Sequence, residues 1–384
     1  MSVSTPTGAA SRGPRTRVAI VVPSLRGGGL ERLARDLALS IRERGYEPAL
    51  FCLNGLGTYA ESLGGTGIDV HDCREGVLRL RGVPIRLMRA LARFDPAIIH
   101  AHSGTWLPSA VAKTLLARHG LVFTDHGRYP PEPWTRRIVE QWCHGRTDRF
   151  IAVTDALALY VRDFLRLRVT PDVVYNGIDV DAYGGRSGST RARLRSEWGV
   201  PDGDVVAAAV GRFVPVKNHA ALLRAAAGAR QRGARVHLAL VGTGALEPLM
   251  RELARSLDLE EHVSFLGFRD DVADCLAASD LFVNASTTEA LPVSLLEAMA
   301  TSLPTLATAV GGVPEALGDP PAGLLVAAGD EDALARGLVT LSADPALRKT
   351  FAERARRRAE RYSLQAFTDG YCAVYSSLLP GSHA

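Results

Sequence analysis

Short apolar runs rich in β-branched residues alternate with helix-patterned segments along most of this chain, and that alternation constrains the fold most. Arg17–Pro23 is the first such run. A glycine-rich turn follows it, and Leu30, Leu33, Leu37 and Ile41 then recur at helical spacing. Buried strands that alternate with helices are typical of a parallel sheet with helices on both faces. The pattern therefore predicts an α/β fold.

The alternation occurs twice. It predicts further strands at Glu47–Leu53, Ala97–His100, Leu121–Thr124, Phe150–Val153, Val205–Val210, Val236–Val241, Leu281–Asn284 and Thr305–Thr308. Between them, a Gly-, Ser- and Arg-rich stretch from Ile178 to Asp204 is typical of a linker with a short helix. We therefore predict two doubly wound domains facing across a cleft, with the ligand site beyond the carboxyl ends of the strands.

The predicted boundaries follow from these breaks. They are a disordered tail over 1–17, an N-terminal domain over 18–178, a C-terminal domain over 179–361, and a C-terminal helix over 362–384. The tail lacks the apolar core of a signal peptide, so we expect a cytoplasmic protein.

Composition excludes several classes of protein. The 384 residues are 47% hydrophobic and 22% charged, as in an ordinary globular protein and unlike a disordered chain. The apolar runs are far shorter than the ~20 residues of a membrane-spanning helix. A formal net charge of +4 without clustering gives no indication of nucleic acid binding. The five cysteines are far apart and show no CxxC spacing, so we expect buried thiols.

Two glutamates flank a proline-led helix start after the strand at 281–284. Pro292 is predicted as the first helical residue, which leaves the amides of Val293 and Ser294 for a diphosphate. Glu289 lies in the loop ahead and Glu297 about one turn inside, where carboxylates reach sugar and ribose hydroxyls. The alternative is an acid that complements the helix dipole together with a solvated helix glutamate.

Two cations follow the strand at 205–210. Arg212 and Lys217 are placed at its carboxyl end, where a pyrophosphate would need neutralising. Each alone is more often a solvated surface cation, but the pair together with the two glutamates favours a site. The turn Gly27–Gly29 offers amides to a phosphate or sugar, although its spacing matches no nucleotide fingerprint and Glu31 has the wrong charge.

At this point the sequence resembles the family 4 glycosyltransferases, retaining enzymes of the GT-B fold, from about Val18 to Leu379. The most specific mark is Glu289-x7-Glu297, read here as E-ALPVSLL-E. Further motifs stand in the family's order: GGLERLARDLA (28–38), TDHG (124–127), VVYNGID (173–179), GRFVPVKNH (211–219), VGTG (241–244), FLGFRDDV (265–272) and VGGVPE (310–315). The resemblance implies two Rossmann-like domains, of which the N-terminal one (18–178) would bind the acceptor and the C-terminal one (179–361) the nucleotide-sugar donor, and a C-terminal helix (362–384) that crosses back to the N-terminal domain. It also implies transfer of a hexose-type sugar from a nucleotide-sugar, UDP favoured, to a polysaccharide, glycolipid or metabolite.

The resemblance also implies how the donor is held. Arg212 and Lys217 would neutralise the donor diphosphate, and the backbone at Leu291, Pro292 and Val293 would support phosphate and sugar. Retaining transfer in this family is discussed as front-side displacement, in which the leaving diphosphate accepts the acceptor's proton. Catalysis is then mainly positioning and charge neutralisation. No cofactor and no metal is expected.

The remaining donor contacts are implied in the same way. Glu289 would contact the donor sugar and Glu297 the ribose hydroxyls. Phe268 and Arg269 would lie against the nucleobase, mainly through their backbone. His126 would face the sugar from across the cleft.

One loop and one departure concern the pocket's shape. Gly28 and Gly29 would let the backbone approach the donor or an acceptor phosphate. The family often has Gly after its first glutamate, whereas this chain has Ala290, whose methyl group alters the sugar pocket.

Other charged motifs are interpreted as structural. Asp179-Val180-Asp181 spells DxD, a metal–nucleotide pattern in other transferases, but its place in the linker favours turn capping. His100 and His102 are interpreted as cleft lining and not as metal ligands. The basic cluster Arg354–Arg361 is interpreted as structure.

The Arg79–Arg93 region alternates arginines with apolar residues. From Pro84 onward it predicts a basic amphipathic helix lying on an anionic membrane surface, with a solvated cationic face as the alternative. Membrane contact of this kind would suit a lipid-linked acceptor at the inner membrane face.

Two other classes of function stay open. One is a GT-B sugar-phosphate synthase or nucleotide-sugar epimerase. The other is a non-catalytic subunit that binds nucleotide-sugar. The alanine at position 290, where the family often has glycine, is compatible with that alternative.

Overall fold

A computed structural model of the chain describes residues 15–75, 83–117, 119–128, 132–184 and 188–379. Most of the predicted tail, Arg79, Arg81 and the last five residues lie outside this range.

The first sheet is parallel in every pairing described. Its strands are β1 (Arg17–Val22), β2 (Glu47–Cys52), β3 (Asp69–Asp72), β4 (Ile98–His102), β5 (Gly120–Asp125), β6 (Arg149–Ala152) and β7 (Asp172–Val173). They lie in the order β3-β2-β1-β4-β5-β6-β7. The order in which successive strands are added to the sheet therefore reverses between β1 and β4.

The second sheet repeats this plan with six strands. They are β8 (Val205–Val210), β9 (Val236–Val241), β10 (Val263–Gly267), β11 (Leu281–Asn284), β12 (Thr305–Thr308) and β13 (Gly323–Val326). Their order, β10-β9-β8-β11-β12-β13, reverses between β8 and β11. Two parallel sheets with helices confirm the predicted α/β class.

Helices connect the parallel strands, since a parallel pair needs a crossover connection. They are α1 (Gly29–Glu43), α2 (Thr58–Glu61), α3 (Ile85–Phe94), α4 (Trp106–Leu116), α5 (Trp134–His144), α6 (Asp155–Leu165), α7 (Gly188–Glu197), α8 (His219–Gln231), α9 (Glu247–Ser256), α10 (Val272–Ala277), α11 (Val293–Ala300), α12 (Val313–Leu317), α13 (Glu331–Ala343), α14 (Pro345–Ala359) and α15 (Leu364–Ser376).

By packing, the chain divides into two compact units. The first takes in the described residues up to Phe123, residues 145–148 and the described residues from Tyr375 onward. The second comprises 124–144 and 149–374. The division follows packing and not chain order, since the end of α15 belongs to the first unit.

Central strands are buried on both faces, which explains their unbroken apolar runs. Every residue from Val18 to Val22 is inaccessible to solvent, and β9 is buried throughout. None of the five cysteines, all within the described residues, forms a disulfide; Cys372 is partly exposed and the other four are buried. Among the described helices, none is long and apolar enough to cross a membrane.

Two interpretations of the first unit need correction. His100 and His102 do not line a cleft, because both are buried in β4 and the His100 Nδ1 lies 2.7 Å from the Tyr375 hydroxyl. In α3 the two leucines Leu87 and Leu91 are fully buried. The apolar face predicted to meet a membrane is therefore covered by the protein itself.

The basic cluster near the chain end is structural, as predicted. Arg356 donates to the carbonyls of Val180 and Ala300, both at 3.1 Å. Arg358 donates to the carbonyls of Ala316 and Glu315 at 2.9 and 3.0 Å.

Candidate functional site

The second sheet places charged loops beside each other at its reversal point. The loop after β8 carries Arg212 and Lys217, and the loop after β11 carries Glu289. Because β8 and β11 are parallel neighbours, both loops leave the same edge of the sheet. In open parallel sheets, ligands bind in the crevice at the carboxyl ends of the strands, where the strand order reverses.

Lys217 and Glu289 form an ion pair across this edge. The Lys217 ammonium contacts Oε1 of Glu289, and the Ser286 hydroxyl donates to the same oxygen at 2.7 Å. The two side chains remain 25% and 12% exposed, so a ligand can reach both. The lysine stem rests against Gly211, where a methyl group would lie 3.4 Å from its Cε.

Hydrogen bonds fix the loop that carries Glu289. The Thr287 amide donates to the Val216 carbonyl at 2.9 Å, which ties this loop to the one carrying Lys217. The Asn284 side chain accepts from the Ser286 amide at 2.8 Å, and Thr308 donates to the Ser286 carbonyl at 2.6 Å. The carboxylate is therefore preorganised.

The VGGVPE motif supports the same loop from behind. Gly311 has φ +51°, and a Cβ there would collide with the Glu289 carbonyl oxygen. The Gly312 amide donates to the Ala290 carbonyl at 2.7 Å. Only glycine at 311 permits this close approach.

The VGTG motif holds the loop that carries Arg212. Gly242 has φ +140°, and a Cβ there would collide with the Gly211 carbonyl oxygen. The Phe213 amide donates to the Thr243 carbonyl at 3.0 Å. The Arg212 side chain is exposed, and among the described residues no ion pair or hydrogen bond engages it. Its exposure leaves the guanidinium accessible to an anion.

The helix after this loop begins one residue later than predicted. Pro292 has φ −65° and ψ 121°, so it is the N-cap of α11 and not its first helical residue. Proline also has no N–H, so the groups without an intrahelical acceptor are those of Val293 and Ser294. The Asn176 amide of the VVYNGID motif donates to the Leu291 carbonyl at 2.8 Å and steadies the approach to the helix.

Glu297 lies in α11 and is only 4% exposed. Its Oε1 accepts a hydrogen bond from the Tyr183 hydroxyl at 2.6 Å. This contact fixes the orientation of the carboxylate. Sequence reasoning did not identify Tyr183 as its partner.

The loop carrying His126 lies beside the Glu289 loop within the second unit. Thr288 donates to the Arg128 carbonyl at 3.4 Å, and a Cβ on Gly127 would lie 3.3 Å from the Ala290 methyl. The residue that departs from the family pattern, Ala290, therefore packs against this loop. Burial lowers the pKa of His126 to about 4, so its imidazole is neutral near pH 7 and can both donate and accept.

A buried charge network that sequence reasoning missed supports this loop. Arg128 pairs with Asp125 at 2.5 Å, Glu140 at 2.7 Å and Glu132 at 3.2 Å, and its side chain is 2% exposed. Asp125 also accepts from the Gly127 amide at 3.0 Å. Burial raises the pKa of Asp125 and that of Glu132. The only hint of this network in the sequence is the spacing of Asp125 and Arg128, which lie three residues apart and can form an ion pair.

Phe268 and Arg269 follow β10 at the same sheet edge. Phe268 is 70% exposed, as an aromatic platform for a base would be. The Arg269 guanidinium is held by Asp271 at 2.6 Å and Glu197 at 3.2 Å. Its contact with a nucleobase would therefore come through the backbone.

The glycine loop belongs to the first unit and is described there alone. Gly28 precedes α1, which begins at Gly29. The Glu31 carboxylate lies over Gly28, 2.5 Å from where a Cβ would stand. The Glu31 side chain therefore lies beside the glycine whose backbone is predicted to approach a phosphate.

In the DxD sequence, Asp179 has the turn-capping role predicted for it. Asp179 accepts from the Ala182 amide at 3.2 Å, and the Asp181 side chain is 99% exposed. Within the described residues, no group of three or more His, Cys, Asp or Glu side chains is arranged to hold a metal ion.

Comparisons with known proteins agree on the class. The pattern of the family described as "Glycosyl transferases group 1" matches residues 190–358, and that of "Glycosyltransferase Family 4" matches 27–182. D-inositol 3-phosphate glycosyltransferase of Salinispora arenicola is 33% identical over 332 residues, 78% of this chain and 71% of the relative.

Two further similarities are to a second relative and to a solved structure. N-acetyl-alpha-D-glucosaminyl L-malate synthase of Bacillus anthracis is 30% identical over 235 residues, 61% of each chain. The crystal structure of Anabaena HepE in complex with UDP and glucose superposes with a TM-score of 0.83 at 24% identity, covering 94% of this chain and 100% of HepE. The superposition confirms the predicted GT-B fold.

Proposed function

The chain belongs to glycosyltransferase family 4, and from that premise we propose that it is a retaining enzyme that transfers a hexose-type sugar from a nucleotide-sugar, UDP-sugar favoured, to a hydroxyl-bearing acceptor. The Lys217–Glu289 ion pair carries this proposal. A sugar diphosphate needs a cation at its leaving group and a carboxylate at its sugar hydroxyls. The pair supplies both in one contact, with Arg212 exposed on the same loop as Lys217.

The proposed chemistry is a front-side displacement. The bond between the anomeric carbon and the diphosphate oxygen breaks as the acceptor oxygen bonds to the same face of that carbon. The acceptor's hydroxyl proton passes to the departing diphosphate oxygen. Lys217, Arg212 and the N-terminal amides of α11 stabilise the negative charge that develops there. Neutral His126 serves as a hydrogen-bonding partner for the sugar.

UDP is favoured as the nucleotide because HepE, which shares the fold, was crystallised with UDP. The acceptor is a polysaccharide, glycolipid or metabolite hydroxyl. No metal takes part in this proposal, since the described side chains offer cations where a metal would otherwise neutralise the diphosphate.

A phosphorylated small-molecule acceptor is the second candidate. The Salinispora relative is named for D-inositol 3-phosphate, an acceptor that carries a phosphate. For this chain, inositol phosphates and sugar phosphates therefore belong in the same acceptor panel as oligosaccharides and lipid-linked sugars.

Thermal unfolding with UDP, GDP and ADP, each with and without magnesium, tests the donor assignment. A ligand that binds only the folded state raises the Tm as its concentration grows. We expect a shift with UDP that magnesium does not alter and that Lys217→Ala abolishes. Lys349→Ala, an exposed lysine on α14, is the matched control. A shift with none of the three nucleotides would contradict the proposal.

A further inference from the structure

Helix α5 carries its apolar residues on the side that faces solvent. Trp134, Ile138 and Trp142 follow one another at four-residue intervals and are 66%, 54% and 38% exposed, with Val139 beside them at 42%. The face turned into the protein holds Glu140 and Cys143. Residues four apart share one side of a helix, so the exposed residues form a continuous stripe.

A helix of a globular protein ordinarily buries its apolar stripe, and α5 does the reverse. Exposed apolar side chains occur singly on most surfaces, but a stripe with two tryptophans marks a contact with something outside the fold. Tryptophan prefers the boundary between water and lipid, because its ring is apolar and its N–H is polar.

Arginines border this stripe. Among the described residues no carboxylate pairs with Arg137, the neighbour of Ile138. Gln141 donates to the Leu165 carbonyl at 2.8 Å, so the end of α6 lies beside α5. The residues after that end, Arg166, Arg168 and Val169, are exposed, and Val169 is 78% exposed. The surface therefore combines apolar side chains with a cationic rim.

We propose that α5, with the residues after α6, is a membrane-docking surface that inserts Trp134, Ile138 and Trp142 among the headgroups of an anionic lipid bilayer. An apolar stripe with a basic border is what such an interfacial helix requires. The inference goes beyond the proposed function, and it replaces α3, whose leucines are buried, by α5. Membrane docking beside the His126 loop would suit an acceptor presented at a lipid surface.

Tryptophan fluorescence reports on this surface directly. The chain has four tryptophans, and Trp106 and Trp198 are only 5% and 7% exposed. A blue shift on adding vesicles therefore arises from Trp134 and Trp142. We expect the shift, and sedimentation with the vesicles, for phosphatidylcholine vesicles containing phosphatidylglycerol. Binding to phosphatidylcholine alone should be weaker, and salt should weaken binding to the anionic vesicles.

A matched pair of variants tests the assignment to α5. Ile138→Gln should weaken vesicle partitioning by about tenfold, because one buried aliphatic side chain contributes that much. Leu249→Gln removes a side chain on α9 of almost the same exposure, 56%, and should leave partitioning unchanged. Tm and UDP binding without vesicles should match wild type for both variants, which keeps this test separate from that of the donor site.

Three outcomes would overturn the proposal. One is absence of binding of the wild type to anionic vesicles. Another is equal loss in Ile138→Gln and Leu249→Gln. The third is a dimer in light scattering that Ile138→Gln dissociates while vesicles remain unbound, which would assign the stripe to a second copy of the chain.

Discussion

Lys217 and Glu289 neutralise each other across the edge where β8 and β11 meet, so the cation needed by a diphosphate is already engaged by the carboxylate needed by a sugar. Donor binding must therefore separate the two side chains, so that Lys217 contacts the diphosphate and Glu289 contacts the sugar. A nucleoside diphosphate without the sugar meets the cation while the carboxylate still competes for it.

Removing either cation should slow transfer strongly. Lys217→Ala and Arg212→Ala are each expected to lower kcat/KM by about 10²–10³, or about 3–4 kcal/mol of transition-state stabilisation. Initial rates with a saturating acceptor measure the loss, with Lys349→Ala as the control. Near-normal rates in both variants would show that the diphosphate does not bind at this loop.

Glu289→Gln should separate nucleotide binding from transfer. The neutral side chain frees Lys217 for the diphosphate, so UDP alone should bind at least as tightly as to wild type, while kcat falls. Calorimetric titration with UDP and rate measurements on the same preparation give both numbers. Weaker UDP binding in Glu289→Gln would show that the carboxylate orders Lys217 and does not compete with the ligand.

Gly127→Ala tests the packing of the His126 loop. Gly127 has φ +144°, and the added methyl would lie 3.3 Å from the Ala290 methyl. We expect a loss of about 1–3 kcal/mol in the free energy of unfolding, as for a residue held in an unfavourable backbone region. Denaturant titration of Gly127→Ala and of Gly127→Ala/Ala290→Gly separates the contact from the backbone strain. Only the contact part should be recovered in the double variant.

Three histidines whose pKa is lowered in the fold predict a loss of stability in acid. Burial lowers the pKa of His126, His219 and His237 to about 4 each, from an ordinary value of 6.5. Below pH 6.5 the unfolded chain binds protons that the folded chain does not, so the free energy of unfolding falls with pH down to about 4. Each group contributes at most about 3 kcal/mol.

The difference between wild type and His219→Phe isolates one of these contributions, because other titrating groups cancel. The phenyl ring keeps the stacking on Phe213, whose ring centroid lies 4.3 Å from that of His219. The stability difference between the two proteins should shift in favour of His219→Phe between pH 6.5 and 4. A difference that is independent of pH would show that His219 protonates normally in the fold.

Removal of metal should leave transfer intact. EDTA is expected to have no effect on the initial rate, and Asp181→Asn should behave as wild type because its side chain is 99% exposed. Asp179→Ala should lower stability by about 1 kcal/mol through loss of its cap to Ala182. Abolition of activity by EDTA, restored by a divalent cation, would contradict this account.

The sheets were predictable because their strands are buried on both faces. β8, β9, β11 and β12 have the predicted bounds, since an apolar run between glycine or polar residues has few other readings. The start of α11 was less predictable. Proline suits both the N-cap and the first helical position, and only the ψ angle of Pro292 distinguishes them.

Partners across the fold could not be read from the sequence. An apolar stripe predicts that a helix is covered, but not by what: Leu87 in α3 is covered by the protein, whereas Ile138 in α5 is exposed. The pairing of Tyr183 with Glu297 and that of Arg128 with Glu140 join residues brought together only by packing. The spacing of residues along the sequence therefore does not predict these two pairs.

The buried Arg128 guanidinium has a consequence for protein engineering. It binds Asp125 at the end of β5 and Glu140 in the middle of α5, so the strand end and the helix share one cation. Exchange of α5 with that of a relative would strand this charge in the interior unless a carboxylate is restored at position 140. Chimeras that exchange this region should therefore transplant residues 125–144 as one block, so that Asp125, Arg128 and Glu140 all come from the same protein.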